Sequence, residues 1–199
     1  MKTTAFRLLS VDVEKNGLHG PVFAVGAVLL SQDGEIQDQF RARCPIEGAP
    51  RDFVVREVLP ALADYVQTHD DPTSMRQAFW EWFRGAREEA VVFADFGWPS
   101  EARFFLALAE DALEERYLQG PYPLHEVSTL LLAAGEDPDI SRERYAADLI
   151  QGRHGMKHDP WWDARVSGLC ALKALRILGF FGRVATQQGD ATDGVSRRS

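Results

Sequence analysis

The chain has 199 residues, 45% of them hydrophobic, enough for one domain with a substantial core. Thirty acidic residues against 22 lysines and arginines give a formal charge of −8, so no global basic field draws the protein to a nucleic-acid backbone. Any positive charge that a phosphate ligand needs has to come locally, from a few side chains or from bound cations. Two cysteines, Cys44 and Cys170, make no disulfide framework and lack metal-site spacing; they read as reduced, buried thiols of a cytoplasmic protein. The first residues enter a strand pattern with no signal sequence, and no apolar run reaches membrane-spanning length.

Phe6–Val13 reads as a buried strand, in which alternate side chains share a face. Asp12 and Glu14 therefore project together at the end of an apolar run, where two like charges need a positive partner. A hard divalent cation such as Mg²⁺ or Mn²⁺ suits carboxylate oxygens. The alternative is that Glu14 has left the strand and both acids are solvated, as in the ordinary hairpin turn read at Asp33-Gly34-Glu35. Pro21–Leu30 is almost wholly apolar and predicts a strand buried on both faces; after the turn, Glu35–Arg43 returns as a more exposed strand.

Asp52–Gln67 and Pro72–Glu89 carry apolar residues at helical spacing, with Trp80, Trp82 and Phe83 as core aromatics. Ala90–Ala94, ending in Asp95, has the continuous apolar run of a buried parallel strand, and Pro99–Leu118 predicts a helix opened by its proline. Leu124–Val127 reads as a fifth strand, and Ser128 as the cap of a short helix stopping at Gly135. Glu136–Lys157 is polar, with at most one helix over Ser141–Ile150, and reads as a mobile flap. Trp161–Leu178 is the last helix, and residues 184–199 read as a disordered tail. The expected class is α/β, with one domain over residues 1–183. Three antiparallel strands followed by parallel ones form a mixed five-stranded sheet flanked by helices.

Asp95 stands at the carboxyl end of its strand, the edge where open α/β sheets place ligands. If that strand runs parallel to Phe6–Val13, Asp95 arrives near Asp12 and Glu14; a helix cap is the alternative. His158 and Asp163 lie five residues apart, a spacing that His154 and Asp159 repeat by chance. Counting by threes and fours from Asp163 gives Val166, Cys170, Ala174 and Ile177, so Asp163 shares the apolar face of the last helix and points toward the sheet. An inward carboxylate needs a partner. A surface histidine followed by an acid favoured by the helix dipole leaves that inward direction unexplained.

Three segments, Val11-Asp12-Val13-Glu14, Phe93-Ala94-Asp95-Phe96 and His158-Asp159-Pro160-Trp161-Trp162-Asp163-Ala164-Arg165, together resemble the DEDDh 3′–5′ exonuclease family, which includes proofreading exonucleases, oligoribonuclease and ribonuclease T. The resemblance runs in order from about Phe6 to Leu178. Lys15-Asn16-Gly17 departs from the family's usual Thr-Thr-Gly or Ala-Thr-Gly, and two tryptophans in the third segment replace smaller or polar residues. The resemblance implies a ribonuclease-H-like fold and phosphodiester hydrolysis from a single-stranded DNA or RNA 3′ end, releasing nucleoside 5′-monophosphates. It implies two divalent cations, Mg²⁺ or Mn²⁺, held by Asp12, Glu14, Asp95 and Asp163, with His158 as general base. Asp95 would act largely through bound water. Lys15, Lys157, Arg153 and Arg165 are candidate phosphate contacts; Phe96, Trp98, Trp161 and Trp162 are candidate stacking surfaces. Alternatives are an exoribonuclease that trims RNA alone and a binding module without turnover. Some relatives form homodimers, which leaves a homodimer possible here.

Overall fold

The computed structural model describes residues 6–63, 65–152 and 155–181. A five-stranded mixed sheet has the order β3-β2-β1-β4-β5, with β1 at Arg7–Lys15, β2 at Val22–Ser31, β3 at Ile36–Arg43, β4 at Ala90–Ala94 and β5 at His125–Glu126. The first three strands pair antiparallel, while β4 runs parallel to β1 and β5 parallel to β4. Central β1 alternates as a strand covered on both sides must. Leu9, Val11 and Val13 join the core beneath the helices α2 (Pro72–Ala86) and α3 (Ser100–Glu110). Leu8 joins the opposite core, beneath α5 (Val127–Ala133) and α7 (Pro160–Ile177). Asp12 and Glu14 therefore emerge on the α7 side, beyond the last β1–β4 pair at Ser10 and Phe93.

The helices differ from the sequence expectations mainly at their ends. The segment expected over Asp52–Gln67 is shorter, a π-helical turn at Val54–Val58 running into α1 at Leu59–Ala61. The helix expected over Pro99–Leu118 breaks after Glu110 and resumes as α4 at Leu113–Arg116. Asp111, at the break, forms an ion pair of 2.6 Å with Arg76. Ser128 does not cap α5: it lies inside that helix, and its N–H donates to the Asp95 carbonyl at 3.1 Å. Of the polar stretch read as a mobile flap, Arg142–Tyr145 forms α6, and Tyr145 and Ala146 are buried against the α7 core. The expected tail over residues 184–199 lies outside the described residues.

Two glycines allow α7 to cross the sheet closely. Gly26 pairs with Asp12 across the β1–β2 ladder. A Cβ there would stand 2.1 Å from the Trp161 nitrogen and 2.3 Å from the Pro160 carbonyl carbon, so the first turn of α7 rests on bare backbone. Further along, a Cβ on Gly168 would meet Leu30 Cδ1 at 2.8 Å and Ser10 Cβ at 3.1 Å. The start of α7 is itself well specified. Asp159 is the N-cap, accepting from the Trp161 and Trp162 N–H groups at 3.0 and 3.3 Å, and Pro160 occupies the first turn. Gly26→Ala should destabilise the protein by about 3 kcal/mol, a fall in Tm of roughly 10 °C, because the obstruction is main chain that cannot turn aside. A wild-type melting curve for this variant would show that α7 does not need the close approach.

Candidate active site

β1 brings Asp12 and Glu14 to the carboxyl edge of the sheet, and the first turn of α7 lays Asp163 beside them. Asp163 Oδ2 accepts from the His158 backbone N–H at 2.8 Å, and His158 has φ of +71°, a left-handed conformation that a non-glycine residue adopts at some strain. That turn carries the imidazole over the same spot. His158 Nδ1 lies 3.2 Å from Glu14 Oε1, and the edge-on Phe53 ring is 5.3 Å away. One ligand atom each from Glu14, His158 and Asp163 falls within 4.8 Å of the others.

A fourth carboxylate, which the sequence expectations omit, completes the cluster. Glu101 in the first turn of α3 is only 6% exposed and accepts a hydrogen bond from the Val13 N–H. Burial is the first reason that the Asp12 carboxyl is pushed well above the usual carboxylate range; Glu101 is the second, ahead of Asp163, Glu14 and Asp95. Burial likewise raises Glu101 and Asp163 to about 7 each. A readable signal existed. Glu101 stands three, four and seven residues before Phe104, Phe105 and Leu108, the buried face of α3, which is the inward direction that identifies Asp163.

Asp95 also reaches the site edge, but in a different state. Its Oδ1 accepts from Arg142 Nε at 2.6 Å, while burial raises its carboxyl and Arg142 opposes that rise. A cavity of about 340 Å³ is lined by Asp12, Asp95, Phe96, Arg142, Lys157 and Asp163, among others. A larger apolar cavity of about 760 Å³ lies along the β5 edge, next to Phe93, His125 and Leu130. It holds none of the clustered acids.

The expected substrate contacts separate into two groups. Phe96 is half-exposed and Lys157 exposed, and both line the acidic cavity. Trp98 is exposed but lines the larger cavity instead. The rest are engaged within the protein. Buried Lys15 donates from Nζ to the Leu18 carbonyl at 2.6 Å, and burial lowers its ammonium pKa. The Trp161 ring lies 3.8 Å beneath the Arg41 guanidinium. Trp162 is fully buried, its Nε1 donating to Glu143. Arg165 donates to the Gln151 carbonyl and packs over Trp162. Arg153 and His154 lie outside the described residues. The departure at Lys15-Asn16-Gly17 is a loop staple. Asn16 donates to the Glu47 and Ala49 carbonyls and accepts from the Arg51 N–H, and Gly17 takes φ of +81°.

The carboxylate oxygens of Glu14 and Asp163 beside His158, with Asp12 close by, form an acidic donor set of the kind that hard divalent cations prefer.

No protein-family model and no curated protein matches the sequence. Solved structures do. The nuclease domain of 3′hExo, a DEDDh family member bound to rAMP, aligns over 88% of this chain and 94% of its own, at 16% identity and TM-score 0.51. The zinc-bound E. coli ExoI–ssDNA complex aligns over 92% of this chain at 11% identity and TM-score 0.62, and a further exonuclease I structure over 87% at 10% identity and TM-score 0.59. This chain spans 43% and 42% of the lengths of those two exonuclease I chains. The fold is thus the ribonuclease-H-like fold of DEDDh exonuclease domains. Among the described residues, no helix is long and apolar enough to cross a membrane.

Asp12, Glu101 and Asp163 retain protons that carboxyls of an unfolded chain release near pH 4. Between about pH 4 and pH 7 the native state then binds more protons than the unfolded state, so the metal-free protein loses stability as pH rises. Cations substitute for those protons, and their stabilising effect grows with pH. In EDTA, Tm should fall from about pH 5 to about pH 7.5, and millimolar Mn²⁺ should raise Tm more at the higher pH. Equal Mn²⁺ shifts at both values would contradict a cation site here.

Proposed function

We propose that the protein is a metal-dependent 3′–5′ exonuclease that hydrolyses the terminal phosphodiester of a single-stranded DNA or RNA 3′ end and releases a nucleoside 5′-monophosphate. The observation that carries this reading is the cluster of Glu14, His158 and Asp163 at the carboxyl edge of the sheet, with the carboxyls of Asp12 and Glu101 near enough to interact with each other beside it. The exonuclease fold supports the same reading. Asp12, Glu14, Glu101 and Asp163 would hold two divalent cations, which when bound supply Lewis acidity to the attacked phosphate and charge stabilisation to the leaving oxygen. Asp95, already bonded to Arg142, stays outside that set.

The side chains supply the rest. The contact with Glu14 occupies Nδ1 of His158, so in the neutral ring Nδ1 keeps its proton and Nε2 is the basic nitrogen. Nε2 takes a proton from the attacking water as that oxygen bonds to phosphorus; the bond from phosphorus to the 3′ oxygen breaks, and that oxygen takes a proton from solvent. Asp163 fixes the base through the His158 main chain. Exposed Lys157, on the wall of the acidic cavity, is the proposed phosphate contact. The paucity of basic groups on this wall suits a short unpaired terminus better than a long duplex, whose backbone needs many phosphate contacts.

On a 5′-labelled single-stranded oligonucleotide with Mg²⁺, Asp12→Ala and Asp163→Asn should each lower kcat by about 10³-fold or more while folding normally by circular dichroism. Wild-type turnover in either variant would sink the assignment. Glu101→Gln should weaken Mn²⁺ binding by about 10-fold or more, read by titration of free Mn²⁺. An unchanged isotherm would remove Glu101 from the cation-holding set. The rate should fall as His158 protonates on going from about pH 8 to about pH 5, and His158→Gln should be slow throughout. A flat wild-type profile would remove His158 as the base. Parallel digestion of matched DNA and RNA oligomers decides the sugar preference, because that choice rests on recognition of the 2′-hydroxyl.

A further inference from the structure

We propose that Arg41 and Arg165, both held against the Trp161 indole, form an anion-binding step outside the acidic cavity that takes a backbone phosphate of the strand on the 5′ side of the cleaved bond. The identity of that ligand rests on the exonuclease reading; the positive step itself does not. The Arg41 guanidinium carbon lies 3.8 Å from the Trp161 ring centroid and 5.8 Å from that of Tyr65, and the Arg165 guanidinium carbon lies 5.9 Å from the Trp161 ring. Two guanidiniums thus share one indole in a chain whose formal charge is −8. The ring attracts each cation, but the two like charges repel, and an anion between them relieves that. Among the described residues neither arginine forms an ion pair. Arg165 donates once, to the Gln151 carbonyl at 2.9 Å. Asp159, two residues before Trp161, is engaged as the N-cap of α7, and Asp163, two residues after it, faces the acid cluster. Exposed Arg41 therefore offers its fork of N–H donors to phosphate oxygens.

The strand register places this step relative to the acids. Arg41, Gly26 and Asp12 stand directly opposite one another across β3, β2 and β1. Residues in register share a face, so Arg41 projects on the Asp12 side of the sheet, two strand spacings or about 10 Å away. The first turn of α7 rests on Gly26 between them, with Asp163 toward Glu14 and Trp161 toward Arg41. An unpaired strand whose terminal phosphodiester lies at the acids has its next phosphates within this span. The acids repel those phosphates, and the chain has no global basic field, so affinity for the strand needs a local cation. The indole steadies Arg41, which then loses little freedom when the phosphate arrives. Trp161 is thus a positioning residue whose ring already carries guanidiniums and is not open to a base. Lysine is a poor substitute for Arg41, because an ammonium lacks the flat fork that stacks on indole and grips phosphate.

The test follows the anisotropy of a 5′-labelled single-stranded oligonucleotide titrated with the full chain in EDTA, which stops cleavage and isolates this step from the cation site. Arg41→Gln should weaken binding by about 10-fold and lower the slope of log K against log salt by about 0.7. Arg41→Lys should restore the slope and only part of the affinity. Trp161→Leu, which keeps both charges, should weaken binding less than Arg41→Gln; if it fails to fold, the two Arg41 variants decide alone. Neutral methylphosphonates, placed one at a time at the three linkages upstream of the terminal one, locate the contact. One of them should weaken wild-type binding by about 10-fold and cost Arg41→Gln almost nothing further. With Mg²⁺, Arg41→Gln should raise KM by about 10-fold, with kcat changed far less. Equal binding by wild type and Arg41→Gln, or a methylphosphonate loss that persists in Arg41→Gln, overturns the step. A flat scan, with inorganic phosphate raising the Tm of the wild type and not of Arg41→Gln, would assign the site to a free anion and overturn its role with the strand. Oligonucleotide binding through Arg41 in a wild type that cleaves with neither Mg²⁺ nor Mn²⁺ would keep the step and remove the exonuclease reading. Cleavage by wild type and Arg41→Gln with the same KM would do the reverse.

Discussion

The approach of the first turn of α7 to bare backbone at Gly26 is the constraint on which the site depends. Asp12 is the direct cross-strand neighbour of Gly26, so whatever lies on that glycine lies beside Asp12. A side chain at position 26 would push the start of the helix off the sheet and carry Asp163 and His158 with it. Interiors are close-packed and do not absorb such a shift continuously. The N-cap at Asp159 and the proline after it then fix where the helix begins, and the strained turn at His158 sends the imidazole back over Glu14. Packing, capping and one unusual dihedral together set the geometry of the acidic cluster.

Electrostatics gives the same arrangement its chemical character. Carboxylates usually avoid one another, and here burial first, with neighbouring carboxylates adding to it, raises Asp12, Glu101 and Asp163. A fold that keeps such groups at one edge retains protons there until a cation replaces them. Asp95 differs in having a guanidinium beside it, which opposes but does not cancel the rise that burial imposes. A guanidinium partner is what separates Asp95 from the proposed cation ligands.

Much of this was legible in the residues. Alternation in β1 placed Asp12 and Glu14 on one face, and helical spacing turned Asp163 inward; both follow from periodicity and need no tertiary information. Ile177 shows the limit of the same count, since it is exposed where α7 runs beyond the sheet. Glu101 carries the same inward signal as Asp163, standing on the buried face of α3 with Phe104, Phe105 and Leu108. Which of two nearby acids faces the others depends on the α3 start and on Arg142, 47 residues away in sequence, and neither is local information. The engaged tryptophans and Arg165 were illegible for a similar reason: exposure depends on distant partners such as Arg41 and Glu143.

The most direct measurement is anomalous diffraction from a crystal soaked in Mn²⁺. The account predicts two peaks roughly 4 Å apart, bounded by the carboxylates of Asp12, Glu14, Glu101 and Asp163. A map with no peak among those side chains, or with manganese bound at Asp95 in place of Arg142, would contradict it.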